Sequence, residues 1–206
     1  MRIAVLVYGR LNKCAEHYTN ILEHLGKDNE IDFFMSSDHP SESLLNDFIR
    51  LYNPILYNSD RIEYKYDLGK YPGRREETHI HNMTCHFINK NRVFVLLESY
   101  MKGENVNYDA VVSLRIDSVY STHFDFTNLA DNTIYIPLGS DFVDNGINDQ
   151  IAYGKVDVMK KYNSINPREL LDKRLTIPHP ESLTLANIQF NQLIIKRVDL
   201  IYSISK

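Results

Sequence analysis

The chain has 206 residues, 43% of them hydrophobic and 24% charged, enough for one domain with a real core and unlike a disordered or fibrous protein. Its formal net charge of -4 excludes a general nucleic-acid binder, which needs excess Lys and Arg to neutralise phosphates. The longest apolar runs, "IAVLVY" and "VFVLL", are far too short to span a membrane.

The opening "MRIAVLVYGR" has no small-residue cleavage site, and Arg2 to Gly9 reads as a central parallel strand closed by glycine. Leu11, Cys14, Tyr18, Ile21, Leu22 and Leu25 then recur at helical spacing up to Gly26. "EIDFFMSSD" is a second strand. Leu44, Leu45, Phe48, Ile49 and Tyr52 mark a second helix, and "PILYNS" a short third strand. This β-α-β-α-β opening predicts a parallel sheet covered by helices.

Residues 60–77 form a polar stretch with Pro72-Gly73 and Arg74-Arg75, read as a long functional loop. A helical region runs from about Thr78 to Met101, with a polar interruption at "NKNR". Strands follow at "YDAVVSLRID" and "NTIYIPL". The Gly- and Asp-rich loop "GSDFVDNGIN" then leads into a helix expected from Asn148, with Ile151, Val158, Met159 and Tyr162 as its buried stripe. A short helix after Pro180 and a β-rich tail, "LIIKRVDLIYSI", complete an α/β chain expected to be one domain over 1–206. Cys14 and Cys85 lack metal-motif spacing and read as buried, reduced thiols, which points to a reducing compartment, the cytoplasm.

"YDAVVSLRID" raises the functional question, because an apolar strand ends in a cation and an anion. Alternation places Val112, Leu114 and Ile116 on one face and Val111, Ser113, Arg115 and Asp117 on the other. Ligands of open α/β sheets bind beyond the carboxyl ends of the strands, where Arg115 and Asp117 fall. The plain alternative is an Arg-Asp ion pair capping the strand.

No Walker loop, G-x-G-x-x-G, G-x-S-x-G or H-E-x-x-H occurs. His79, His81 and His86 lack a recognised metal spacing and read as surface or hydrogen-bonding residues. What remains is a set of polar strand ends: Tyr8-Gly9-Arg10, Ser36-Ser37-Asp38 and Arg115-x-Asp117, joined by Asp144 and Asp149. A nucleoside diphosphate needs this mixture of groups for base, ribose and pyrophosphate, with a carboxylate for a bridging divalent ion.

The stretches "IAVLVYGR", "HNMTCHF", "YDAVVSLRIDSVY" and "NDQIAYGKVDVMKKY" resemble glycosyltransferases of the GT-A type, a Rossmann-like fold that uses nucleotide sugars. The opening also resembles the amino-terminal transferase domains of chlorovirus multidomain proteins linked to capsid glycans. That likeness implies a module of a longer protein acting in the host cytoplasm. The family resemblance implies transfer of a hexose or deoxyhexose from a nucleoside diphosphate sugar, expected to be a UDP-sugar, to a glycan or glycoprotein, assisted by Mn2+ or Mg2+. Arg115 departs from the usual Asp-x-Asp and leaves Asp117 as the metal or diphosphate residue, with His179 as a second metal ligand.

The same resemblance implies donor contacts from Tyr8, Gly9, Arg10, Asp38, Arg75, Asn82, Arg115 and Asp117, with Arg74 as a further cation. Asp144 and Asp149 are the acid-base candidates, since activating an acceptor hydroxyl needs a nearby carboxylate. Each has a plainer alternative: Asp38 as a turn cap, Asp149 as a helix-dipole carboxylate, His179 as a loop residue between prolines. Two other functions stay open, a sugar-phosphate nucleotidyltransferase and a nucleotide- or sugar-binding module without catalysis.

Overall fold

The computed structural model describes residues 1–63, 77–141, 146–173 and 175–205, with the side chains of 77–80 excluded. Arg74, Arg75 and Asp144 lie outside the described residues. The first half alternates β1 (Arg2–Tyr8), α1 (Cys14–Leu25), β2 (Glu30–Ser36), α2 (Glu42–Tyr52) and β3 (Leu56–Asn58). A 28-residue helix, α3 (Glu77–Glu104), leads to β4 (Ala110–Leu114) and β5 (Ser118–Tyr120). Then come β6 (Thr133–Pro137), β7 (Ile151–Gly154), α4 (Val156–Asn163), α5 (Pro167–Asp172), α6 (Pro180–Phe190), β8 (Ile194–Val198) and β9 (Tyr202–Ile204).

Seven strands form one sheet in the order β3-β2-β1-β4-β7-β6-β8, while β5 and β9 pair separately. Strands β3, β2, β1 and β4 are parallel; β7 runs against both β4 and β6, and β8 is parallel to β6. The central strands β1, β4, β6 and β7 are buried on both faces, as near-continuous apolar strands require, while the edge strands β3 and β8 are partly exposed. Ile3, Val5 and Val7 of β1 pack in a core with residues of α1 and α2, and Ala4, Leu6 and Tyr8 in a core with α3 and α4.

Local signals set the boundaries. Ser41 caps α2, its Oγ accepting from the Leu44 amide at 3.4 Å. Gly26 stops α1 at φ 94°, a conformation that suits glycine.

Three expectations need correction. The helix expected from Asn148 does not begin there: residues 151–154 are the reversed strand β7, and α4 starts at Val156. Ile151 is buried, but against β4, where it pairs with Leu114. "NKNR" does not interrupt α3, because Asn89 and Lys90 point into the protein and are 1% and 0% exposed. Strand alternation also ends at Leu114, so Arg115, Ile116 and Asp117 lie in a turn closed by the Ser118 amide donating to Arg115 O at 3.3 Å.

Candidate functional site

Register alone brings the polar ends together. Tyr8 pairs with Ser36 and Val7 with Leu114, so β1, β2 and β4 finish at one level. The reversed strand β7 starts where β4 ends, which returns Asp149 and Gln150 to the same edge. The Arg115 amide donates to Gln150 O at 3.2 Å. Tyr8 Oη, 2.8 Å from the carbonyl oxygens of Asp149 and Gln150, holds the segment before β7 against β1.

Beyond this edge opens a cleft of about 740 Å³, lined by Tyr8, Gly9, Arg10, Asp38, Asn82, Arg115, Asp117, Asp149 and His179 among others. Those positions therefore share one cavity. Gly9 has φ 89°, and a Cβ there would meet nothing within 4 Å. Backbone conformation, not space, favours glycine at this position.

Arg115 and Asp117 form a two-pronged pair, with Nη2–Oδ2 at 2.6 Å and Nε–Oδ1 at 3.0 Å. The ion pair weighed as the plain alternative is thus present, yet it faces the cleft and leaves the carboxylate 17% exposed. Burial opposes the Arg115 charge, but the hydrogen bond and charge of Asp117 more than offset it and raise the guanidinium pKa.

His179 is the N-cap residue of α6 and 6% exposed, with Nδ1 2.6 Å from Glu181 Oε2. A carboxylate on one imidazole nitrogen is the usual support for a ring that ligates metal through the other. Asp117 and His179 both line the cleft, and a carboxylate and an imidazole are donor types suited to a divalent ion, with Arg115 already bonded to both Asp117 oxygens.

The floor of the cleft sets the expected Asp149 beside His86, which had read only as a surface or hydrogen-bonding residue, with the fully buried Lys90, which sequence reasoning missed, close enough to influence both. Asp149 is 6% exposed, and burial pushes its carboxyl up to about 6, with Lys90 and Arg115 opposing the rise and Glu181 adding to it. His86 Nε2 lies 3.3 Å from Asp149 Oδ2, without the alignment of a hydrogen bond. Burial, with Lys90 and Arg115 nearby, holds His86 well below its ordinary value, so the ring is neutral at pH 7.

Lys90 Nζ has no hydrogen-bond acceptor among the described residues and sits 3.9 Å from the Tyr162 ring centroid and 5.3 Å from that of Tyr8. Burial lowers its pKa to about 7, with Asp149 opposing. Asn89 accepts a hydrogen bond from Ser36 Oγ at 2.8 Å, tying α3 to the end of β2. A Lys with the apolar residues Phe87, Val93 and Phe94 three or four positions away was the available signal, but burial of that stripe is a tertiary fact.

Elsewhere in the lining, Asp38 Oδ1 accepts from the Ile62 amide at 2.7 Å, and Cys85 Sγ lies 3.5 Å from Asp38 Oδ2. Burial, then Asp38, pushes the Cys85 thiol up to about 11, which keeps it protonated at neutral pH.

No family model matches the chain, and no curated protein matches it by sequence. Among solved structures, the galactosyltransferase LgtC in complex with donor and acceptor sugar analogues is similar over 96% of this chain and 73% of that one. The TM-score is 0.50 and the identity 14%. The likeness identifies the fold as GT-A: an α/β domain with a mostly parallel central sheet between helices.

Proposed function

We propose that residues 1–206 form a glycosyltransferase domain that moves a hexose or deoxyhexose from a nucleoside diphosphate sugar, a UDP-sugar first, to a glycan or glycoprotein. One observation carries this reading: the ends of β1, β2 and β4 and the start of β7 converge on a single cleft holding Arg115, Asp117 and Asp149. Fold likeness to a galactosyltransferase supports it. The resemblance of the opening residues to chlorovirus transferase domains makes a viral capsid glycoprotein an acceptor worth trying.

Breaking the bond from the anomeric carbon to the donor phosphate leaves charge on the diphosphate. Gly9 lets the backbone approach the nucleotide closely, Tyr8, Asp38 and Asn82 flank it, and Arg10 and Arg115 supply positive charge near the leaving group. Arg75 and Asp144 are assigned, respectively, to the diphosphate and to acid-base work. A Mn2+ or Mg2+ ion held by Asp117 and His179 would neutralise phosphate charge. The acceptor oxygen bonds to the anomeric carbon, and its proton passes to Asp149, whose carboxyl near 6 is ionised at neutral pH and close to the range useful for proton transfer.

The Arg115–Asp117 pair favours a second reading, a nucleotide-binding module without turnover, because a fixed cation stands where an acid is usual. Calorimetric titration with UDP, with and without Mn2+, separates the two. The transferase reading expects Mn2+ to tighten UDP binding and Asp117→Ala to abolish that gain. Binding indifferent to Mn2+ favours the module, and no UDP binding under either condition removes both.

A further inference from the structure

We propose that Asp38, His81 and Cys85 form a site for a thiophilic divalent ion of the Zn2+ kind, separate from the Asp117 and His179 pair. Among the described residues these three alone bring at least three metal-ligating side chains together, with ligand atoms all within 4.8 Å of one another. His81 and Cys85 stand four residues apart on α3, so they share a helical face. Asp38 reaches them from just past the end of β2.

The spacing suits tetrahedral coordination. Bonds of about 2.3 Å to sulfur and about 2.1 Å to nitrogen or oxygen, at a tetrahedral angle, set the ligand atoms about 3.6 Å apart. Cys85 Sγ lies 3.4 Å from His81 Nε2 and 3.5 Å from Asp38 Oδ2.

Asp38 is also oriented for the task. Its Oδ1 is fixed by the Ile62 amide at 2.7 Å, and Oδ2 is the oxygen directed at sulfur. Outer hydrogen bonds of this kind hold a ligating carboxylate in place. Without metal, the Cys85 thiol donates to that oxygen. On binding, the thiol proton leaves to solvent, and the thiolate and carboxylate together cancel the ion's two charges. All three residues line the cleft, so three protein ligands leave a fourth position on the cleft side, the pattern of an open zinc site.

The ion would pin the early part of α3 to the sheet edge and withdraw Asp38 from any nucleotide. The site stands on its own geometry, whether or not the chain transfers sugars. Co2+ titration of chelator-treated protein, read by absorption and followed by Zn2+ competition, tests it. We expect one Co2+ per chain with a near-ultraviolet thiolate charge-transfer band that Zn2+ displaces. Cys85→Ser should remove the band and weaken Zn2+ binding at least about 100-fold, more than loss of an outer-shell partner. His81→Ala, at an exposed position, should also weaken Zn2+ binding, while Asp117→Ala and Cys14→Ser should leave the band intact. The proposal is overturned by the absence of a thiolate band in the wild type, by a band surviving Cys85→Ser, or by Zn2+ affinity unchanged in both Cys85→Ser and His81→Ala.

Discussion

Along the rim of the cleft Arg10, Asp38, Arg115 and Asp117 follow the ends of β1, β2 and β4, whereas His86 sits within α3 and Asp149 is buried just before β7. Rim residues such as Arg10 and Asp38 keep contact with water. Burial carries Asp149 on the floor up to about 6 and the neighbouring, fully buried Lys90 down to about 7. Under the proposed transferase reading the rim binds charge, and the floor holds or releases a proton near neutral pH. An open strand end can do the first, but only a dry interior can do the second.

Asp149→Asn should break this contrast most severely. It keeps the side chain's shape and removes the base, so kcat should fall about 10²- to 10⁴-fold with little change in the donor KM. Activity that needs ionised Asp149 rises as pH climbs through about 6. That limb should be present in the wild-type pH profile and absent in the residual activity of the variant.

Next in size is the tie between rim and floor. Ser36→Ala would leave the buried Asn89 amide oxygen without its donor, lowering the unfolding free energy by about 1–3 kcal/mol in chemical denaturation. A smaller value would mean that α3 is held to β2 by apolar packing alone.

Lys90→Met should have the mildest effect. The ammonium favours the ionised form of Asp149 and so lowers its pKa. Without it, the acid limb should move up by about one pH unit. No movement would show that Lys90 and Asp149 do not sense each other.

The rim was legible in the sequence because its strands are. "IAVLVY" and "AVVSL" are buried on both faces and read as apolar runs broken only by Ser113, and their ends are marked by Gly9 and Arg115. Asp149 was expected as an acid-base candidate, but its buried setting was not legible, for three physical reasons. Four-residue β7 is too short for periodicity to separate strand from helix. Its reversed direction, which returns Asp149 to the cleft, is a property of pairing and not of composition. Lys90 read as part of a polar interruption because nothing local says that Tyr8 and Tyr162 close over it. The His81 and Cys85 pair was readable at four-residue spacing, but Asp38, the ligand that completes it, lies 43 positions before His81.

Release of UDP from a panel of UDP-sugars, with Mn2+ and saturating UDP-sugar, tests the central claim most directly when wild type and Asp149→Asn are compared. The account predicts that the wild type liberates UDP from at least one sugar, and that Asp149→Asn binds UDP equally well but turns over at least about 100-fold more slowly. Equal turnover by both proteins, or none by the wild type while UDP binding is saturated, would contradict it.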